Sequence, residues 1–99
     1  MELGLKGKSV LITGASKGIG LACAHAFAAE GTTLHLAARS QEILERNKAD
    51  IAAKYGVPVH IHVSDLRASG AVKKLADACA DVDILVNNAG AIPGGEIDD

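Results

Sequence analysis

Aromatic residues are nearly missing from this chain: it has no tryptophan, and Phe27 and Tyr55 are its only large rings. Its core must therefore be filled by Ala, Val, Ile and Leu, side chains that suit closely layered α/β packing. Cysteine is equally scarce. Cys23 and Cys79 lie far apart, with no CxxC pair and no Cys/His ligand spacing, so neither a disulfide framework nor a zinc site is suggested and both read as small buried apolar residues. An excess of one charge is lacking too. Ten basic residues are interspersed with 12 acidic ones for a net charge of −2, which leaves no basic stripe for nucleic acid or an anionic membrane, and both partners are excluded. No apolar run approaches the about 18 residues of a membrane span, and Met1 to Lys8 has no long apolar stretch behind a basic start, so a reduced, cytoplasmic protein is expected. What remains is 48% hydrophobic and 22% charged, the balance of one globular domain without internal repeats.

The apolar pattern predicts alternating elements. Ser9-Val10-Leu11-Ile12 is a short run ending at a glycine-rich turn, which reads as a buried strand. From Gly18, the apolar residues Ile19, Ala22, Cys23, Ala26 and Phe27 recur at helical spacing until Glu30-Gly31. Thr33 to Ala38 is a second strand. Ile43, Leu44, Ile51, Ala52 and Tyr55 mark a second amphipathic helix, with Ser40 as its N-cap and Gly56-Val57-Pro58 as its stop. Val59 to Val63 alternates and gives a third strand; Val72, Leu75, Ala76 and Cys79 give a third helix, expected to begin near Ala68; Val82 to Val86 gives a fourth strand. Strands separated by helical crossovers are parallel and right-handed. The expected fold class is α/β: a Rossmann-type parallel sheet in the order 3-2-1-4, with helices on both faces and a ligand crevice between the carboxyl ends of the first and fourth strands.

The turn Thr13-Gly14-Ala15-Ser16-Lys17-Gly18-Ile19-Gly20 sits directly between a strand and a helix. In that place Gly14 permits the tight turn, Gly18 lets the backbone approach a pyrophosphate, and Gly20 lets the helix pack close to the sheet, with phosphate oxygens meeting N–H groups at the positive end of the helix. A strand-to-helix turn that uses glycine only for geometry needs one glycine rather than three in register. This TGxxxGxG turn, together with Asn87-Asn88-Ala89-Gly90 after the fourth strand, resembles the paired signatures of the classical short-chain dehydrogenase/reductases, over about Lys6 to Gly90.

The resemblance implies an oxidoreductase that transfers a hydride between a nicotinamide and a carbonyl or alcohol substrate, commonly as a homodimer or homotetramer. It implies that Asn87, Ala89 and Gly90 border the adenosine side of the crevice, although the Asn87 side chain can equally serve as a clamp between sheet elements. Asp65-Leu66 matches the family position where an Asp accepts a hydrogen bond from the adenine amino group; the competing reading of Asp65 is an N-cap of the third helix. At the end of the second strand, where NAD-preferring relatives present an acid, Ala37-Ala38-Arg39-Ser40 offers a guanidinium, and Lys17 adds a second cation. NADP(H) is therefore expected over NAD(H). The candidate cofactor-binding residues are Gly14, Ser16, Lys17, Gly18, Ile19, Gly20, Arg39, Ser40, Asp65, Leu66, Asn87, Ala89 and Gly90. His60 and His62 share a strand face, but with no carboxylate or cysteine at ligand spacing they suggest no metal, and His25 and His35 have no partner in sequence.

The catalytic Ser, Tyr and Lys that the resemblance implies have no counterpart here. Tyr55 is followed by Gly56-Val57-Pro58-Val59, so no YxxxK motif is present and no catalytic residue is assigned. The expectation is that these 99 residues are the cofactor-binding half of a protein more than about twice as long, an estimate that rests on the resemblance. A short dinucleotide-binding protein without chemistry, and an interaction module with a vestigial glycine turn, are the alternatives.

Overall fold

The computed structural model describes residues 4–65 and 67–88. Four strands and three helices alternate along the chain: β1 (Ser9–Thr13), α1 (Gly18–Ala29), β2 (Thr33–Ala38), α2 (Gln41–Tyr55), β3 (Val59–Val63), α3 (Ala71–Ala78) and β4 (Ile84–Asn87). The strands form one parallel sheet in the order β3-β2-β1-β4, as the alternation predicts.

Alternate residues of each strand go to opposite faces, and the two faces are covered differently. Val10, Ile12, Leu34, Leu36 and Val59 point to one face and pack with Ala24 and Ala28 of α1 and Leu44 and Ile51 of α2. The opposite face carries Leu11 and Ala37, which pack with Leu75 and Cys79 of the α3 region and with half-buried Val82. Helices thus cover both faces, with the larger core under α1 and α2. Small residues on α1 let that helix sit close to the sheet, which is how a core almost without rings reaches a tight packing.

Two boundaries differ from expectation. β4 begins at Ile84 rather than Val82, because Asp83 first makes a local tie: its N–H donates to the Ser9 carbonyl and its carboxylate accepts from the Ser9 N–H, both at 2.9 Å. Val82 serves the α3-side packing instead. The third helix begins at Ala71, not near Ala68, since Asp65 starts a turn whose carbonyl accepts from the Ala68 N–H at 2.9 Å and whose carboxylate accepts from the Arg67 N–H at 3.0 Å. Its N-cap is Gly70, so the reading of Asp65 as a cap for this helix is overturned. No helix of the described residues is long and apolar enough to cross a membrane.

Candidate functional site

The carboxyl edge of the sheet gathers most of the candidate residues, because every parallel strand there hands over to a loop on the same side. β1 hands over to the glycine turn. Gly14 and Gly18 hold φ of 65° and 62°, a region closed to most side chains, so they make a turn tight enough to aim α1 back along the sheet. Gly20 answers a different need. A Cβ there would collide with the Gly14 carbonyl and stand 2.8 Å from the Asn88 Nδ2, so only glycine allows α1 to start this close to the β1 end.

Three neighbours pin the turn. The Ala15 N–H donates to the Ala37 carbonyl of β2 at 3.2 Å. The Asn47 Nδ2, on the buried face of α2, donates to the carbonyls of Ala15 at 3.3 Å and Ser16 at 3.1 Å. The Asn88 Nδ2 donates to the Gly14 carbonyl at 3.3 Å, while its backbone N–H donates to the Thr13 Oγ1 at 3.0 Å. Sequence reasoning passed over Asn47 and Asn88. Asn47 had a readable signal: it is a polar residue within the buried stripe Leu44, Asn47 and Ile51, and a buried amide needs partners.

What the turn leaves open matters as much. α1 begins at an N-cap residue, Lys17, that makes no side-chain capping bond, and its first turn holds no acid. The described residues thus leave the N–H groups at the positive end of the helix for another acceptor. Among the described residues, nothing beyond Gly18's own neighbours in the chain lies within 4 Å of the position a Gly18 Cβ would take, so they leave the backbone bare on that side. Ile19 is 73% exposed beside it.

At the other strand ends, Asn87 sits opposite Thr13 in the β1–β4 register, and its Oδ1 accepts from the Thr13 Oγ1 at 3.1 Å, a tie between the ends of β1 and β4. Ser40 caps α2, accepting from the Ile43 N–H at 3.3 Å, and exposed Arg39 precedes it at the end of β2. The Ser64 N–H donates to the Ala38 carbonyl at 2.8 Å, which holds the ends of β3 and β2 side by side and puts Asp65 near Arg39. The Asp65 carboxyl is held below the ordinary carboxylate range by the Arg67 side chain first, then by the Arg67 backbone N–H, with Arg39 adding a smaller effect. The Arg67 Nε and Nη2 stand 3.1 and 3.3 Å from its two oxygens. Leu66, Ala89 and Gly90 lie outside the described residues.

The histidines depart from expectation. His35 stacks on both His60 and His62, with ring centroids 4.8 and 5.2 Å away; the His35 Nδ1 lies 3.0 Å from the His62 Nε2, and that same His62 nitrogen is 3.5 Å from the Cys79 Sγ. Parallel pairing of β2 and β3 and the return of α3 bring together residues that no local spacing joins. Burial lowers the affinity of both rings for a proton, helped by His60 for each ring and by His62 for His35, and burial raises the Cys79 pKa. His25 also has a partner, the Tyr55 hydroxyl at 3.1 Å. Tyr55 ends α2 at the opposite edge of the sheet from the glycine turn.

Residues 8–99 match the family model described as short chain dehydrogenase. The chain belongs to the short-chain dehydrogenase family. This short-chain dehydrogenase chain is 37% identical over 97 residues to 3-dehydrosphinganine reductase TSC10A of Arabidopsis thaliana, covering 98% of this chain and 30% of that protein. Among solved structures it is similar to L-sorbose reductase from Gluconobacter frateurii complexed with NADPH and L-sorbose, with 38% identity, a TM-score of 0.79 and coverage of 91% of this chain and 36% of that one. A short-chain dehydrogenase from Sphingobium yanoikuyae in complex with NADPH gives 37% identity and a TM-score of 0.79 over 84% of this chain and 34% of that one. The chain thus spans 28 to 36% of the length of such relatives.

Proposed function

We propose that the protein is an NADP(H)-dependent oxidoreductase that moves a hydride between nicotinamide and a carbonyl or alcohol group, and that residues 1–99 supply its cofactor-binding part. The observation that carries this reading is the open start of α1: an uncapped helix N-terminus without an acidic first turn, fronted by a bare Gly18 backbone and braced from behind by Asn47 and Asn88. That cradle fits a pyrophosphate, whose oxygens take the N–H groups no side chain caps. The dinucleotide, once bound, supplies the hydride chemistry.

The chain's own residues would hold it as follows. Gly14, Ser16, Gly18 and Gly20 form the phosphate turn, and exposed Ile19 offers an apolar wall on the nicotinamide side. Lys17 and Arg39 bring positive charge toward a 2′-phosphate, and Ser40, whose oxygen already accepts from the Ile43 N–H, retains a hydroxyl hydrogen to donate. Asp65, kept ionised by Arg67, keeps lone pairs to accept from the adenine amino group, with Leu66 beside it; Ala89 and Gly90 border the adenosine, and Asn87 positions the β4 end. Two relatives solved with NADPH support the choice of phosphate-bearing cofactor. The acid and base groups that act on substrate are assigned to parts of the whole protein other than residues 1–99, and cytoplasmic homodimers or homotetramers are the assembly proposed for it.

Calorimetric titration of the chain with NADPH and NADH tests the reading. NADPH should bind more tightly by roughly tenfold or more, the worth of one charge-assisted contact to the extra phosphate. No binding of either dinucleotide would end the proposal.

A further inference from the structure

We propose that His35, His62 and Cys79 form a binding site for a zinc-class transition-metal ion, on the α3 face of the sheet and separate from the dinucleotide crevice. Their three donor atoms all lie within 4.8 Å of one another, which makes this a ligand set of two imidazoles and one thiol already assembled by the fold. A tetrahedral ion with nitrogen ligands at about 2.0 Å and sulfur at about 2.3 Å requires nitrogen–nitrogen edges of about 3.3 Å and nitrogen–sulfur edges of about 3.5 Å. The measured edges through the His62 Nε2 are 3.0 and 3.5 Å, so two of the three edges need to move by no more than a few tenths of an ångström. The remaining edge, from His35 to Cys79, is no longer than 4.8 Å, and Cys79, the C-cap residue just after α3, carries a short side chain with a single rotatable bond to its sulfur.

The hydrogen positions point the same way. The His62 Nε2 lies within reach of the His35 Nδ1 and of the Cys79 thiol at once, and a single ring nitrogen lone pair serves two donors poorly. An ion placed between the three atoms replaces that shared arrangement with three ligand bonds: His35 keeps its proton on Nε2, His62 keeps its proton on Nδ1, and Cys79 gives up one proton to solvent as it becomes a thiolate. A mixed set of two imidazoles and one thiolate suits zinc over calcium or magnesium, which take oxygen ligands. Three protein ligands also leave a fourth position for water, on the side where His35 and His62 are half-exposed. The ion would join the end of α3 to the edge strand β3 and its neighbour β2, across a face where the described core holds only Leu11, Ala37, Leu75 and Cys79 as buried residues.

Cobalt(II) added to the whole chain under reducing, anaerobic conditions provides the test. One ion per chain should bind, with a thiolate-to-cobalt charge-transfer band in the near ultraviolet and the visible bands of a tetrahedral ion, and zinc should displace it. Cys79→Ser should abolish the charge-transfer band, His62→Gln should weaken binding by about tenfold or more, given that loss of even an outer partner of a ligand costs that much, and Cys23→Ser should change neither. Zinc should raise the Tm of the unsubstituted chain and of Cys23→Ser by several degrees and leave that of Cys79→Ser where it is. Absence of a charge-transfer band in the unsubstituted chain, or a band that survives Cys79→Ser, overturns the proposal. NADPH binding that is the same with and without zinc is expected, so failure here leaves the dinucleotide reading standing.

Discussion

Single atoms decide how the glycine turn works. Adding one methyl group at Gly20 drives a Cβ into the Gly14 carbonyl, which is backbone and cannot swing aside, so Gly20→Ala should cost about 1–3 kcal/mol or more and abolish NADPH binding, read by chemical denaturation and by titration. Asn47 tests the support from behind. Asn47→Leu keeps the branching at Cγ but strips two loop carbonyls of their donor, at a cost of about 1–3 kcal/mol, with weaker NADPH binding as the second readout; unchanged affinity would mean that the turn holds its shape without α2. In the proposed function Arg39 carries the cofactor choice. Arg39→Asp places a like charge against the 2′-phosphate and an acceptor against a free ribose hydroxyl, so NADPH should bind about 10- to 100-fold more weakly while NADH binding holds or improves. A preference that does not move would remove Arg39 from the site.

At the level of the element, α2 packs the core and begins next to Ser40, a residue with a proposed second role in binding the cofactor. Its cap is a single bond, from the Ile43 N–H to the Ser40 Oγ, so Ser40→Ala should destabilise the protein by about 1 kcal/mol, a Tm loss of about 4–8 °C for a domain of this size. Ser40→Asp separates the two roles of the residue. An aspartate caps as well as serine, so Tm should return, but its charge opposes a phosphate and NADPH binding should stay weak. If Ser40→Asp restores both, Ser40 is a cap and nothing more. α3 is a different kind of helix: only Leu75 within it is buried, and Val72, expected on the core stripe, is 39% exposed. Periodicity located that helix without setting how much of its stripe the sheet covers.

Across the whole molecule, the α3 face introduces a dependence on pH. His35 and His62 have folded-state pKa values below the ordinary imidazole value of 6.5, so the unfolded chain binds more protons once the pH falls toward and below that value. Stability should therefore be level near neutrality and fall as the pH drops through the imidazole range, with a smaller further loss through the carboxylate range where Asp65 gives up its Arg67 contact, and it should fall again at alkaline pH where the thiol of the unfolded chain ionises before that of Cys79. Thermal melts with a chelator present check this, and replacement of both histidines by glutamine should flatten the first decline; a decline that persists would assign it to other groups. Much of the molecule was legible in the order of its residues. The alternation of short apolar runs with helical stripes determined four strands, three helices and a parallel sheet, because parallel strands need crossovers and crossovers need helices. The three glycines determined the turn, since their backbone and contact demands are local. Ser40 was readable as a cap for the same reason. Tertiary structure alone decided the rest: Asn88 reaching back to Gly14 over 74 positions, Asn47 bracing the turn from another helix, and His35, His62 and Cys79 meeting on one face. Sequence patterns report on neighbours within a few residues, whereas these contacts depend on strand register and on where a helix returns to the sheet, which only the folded chain sets.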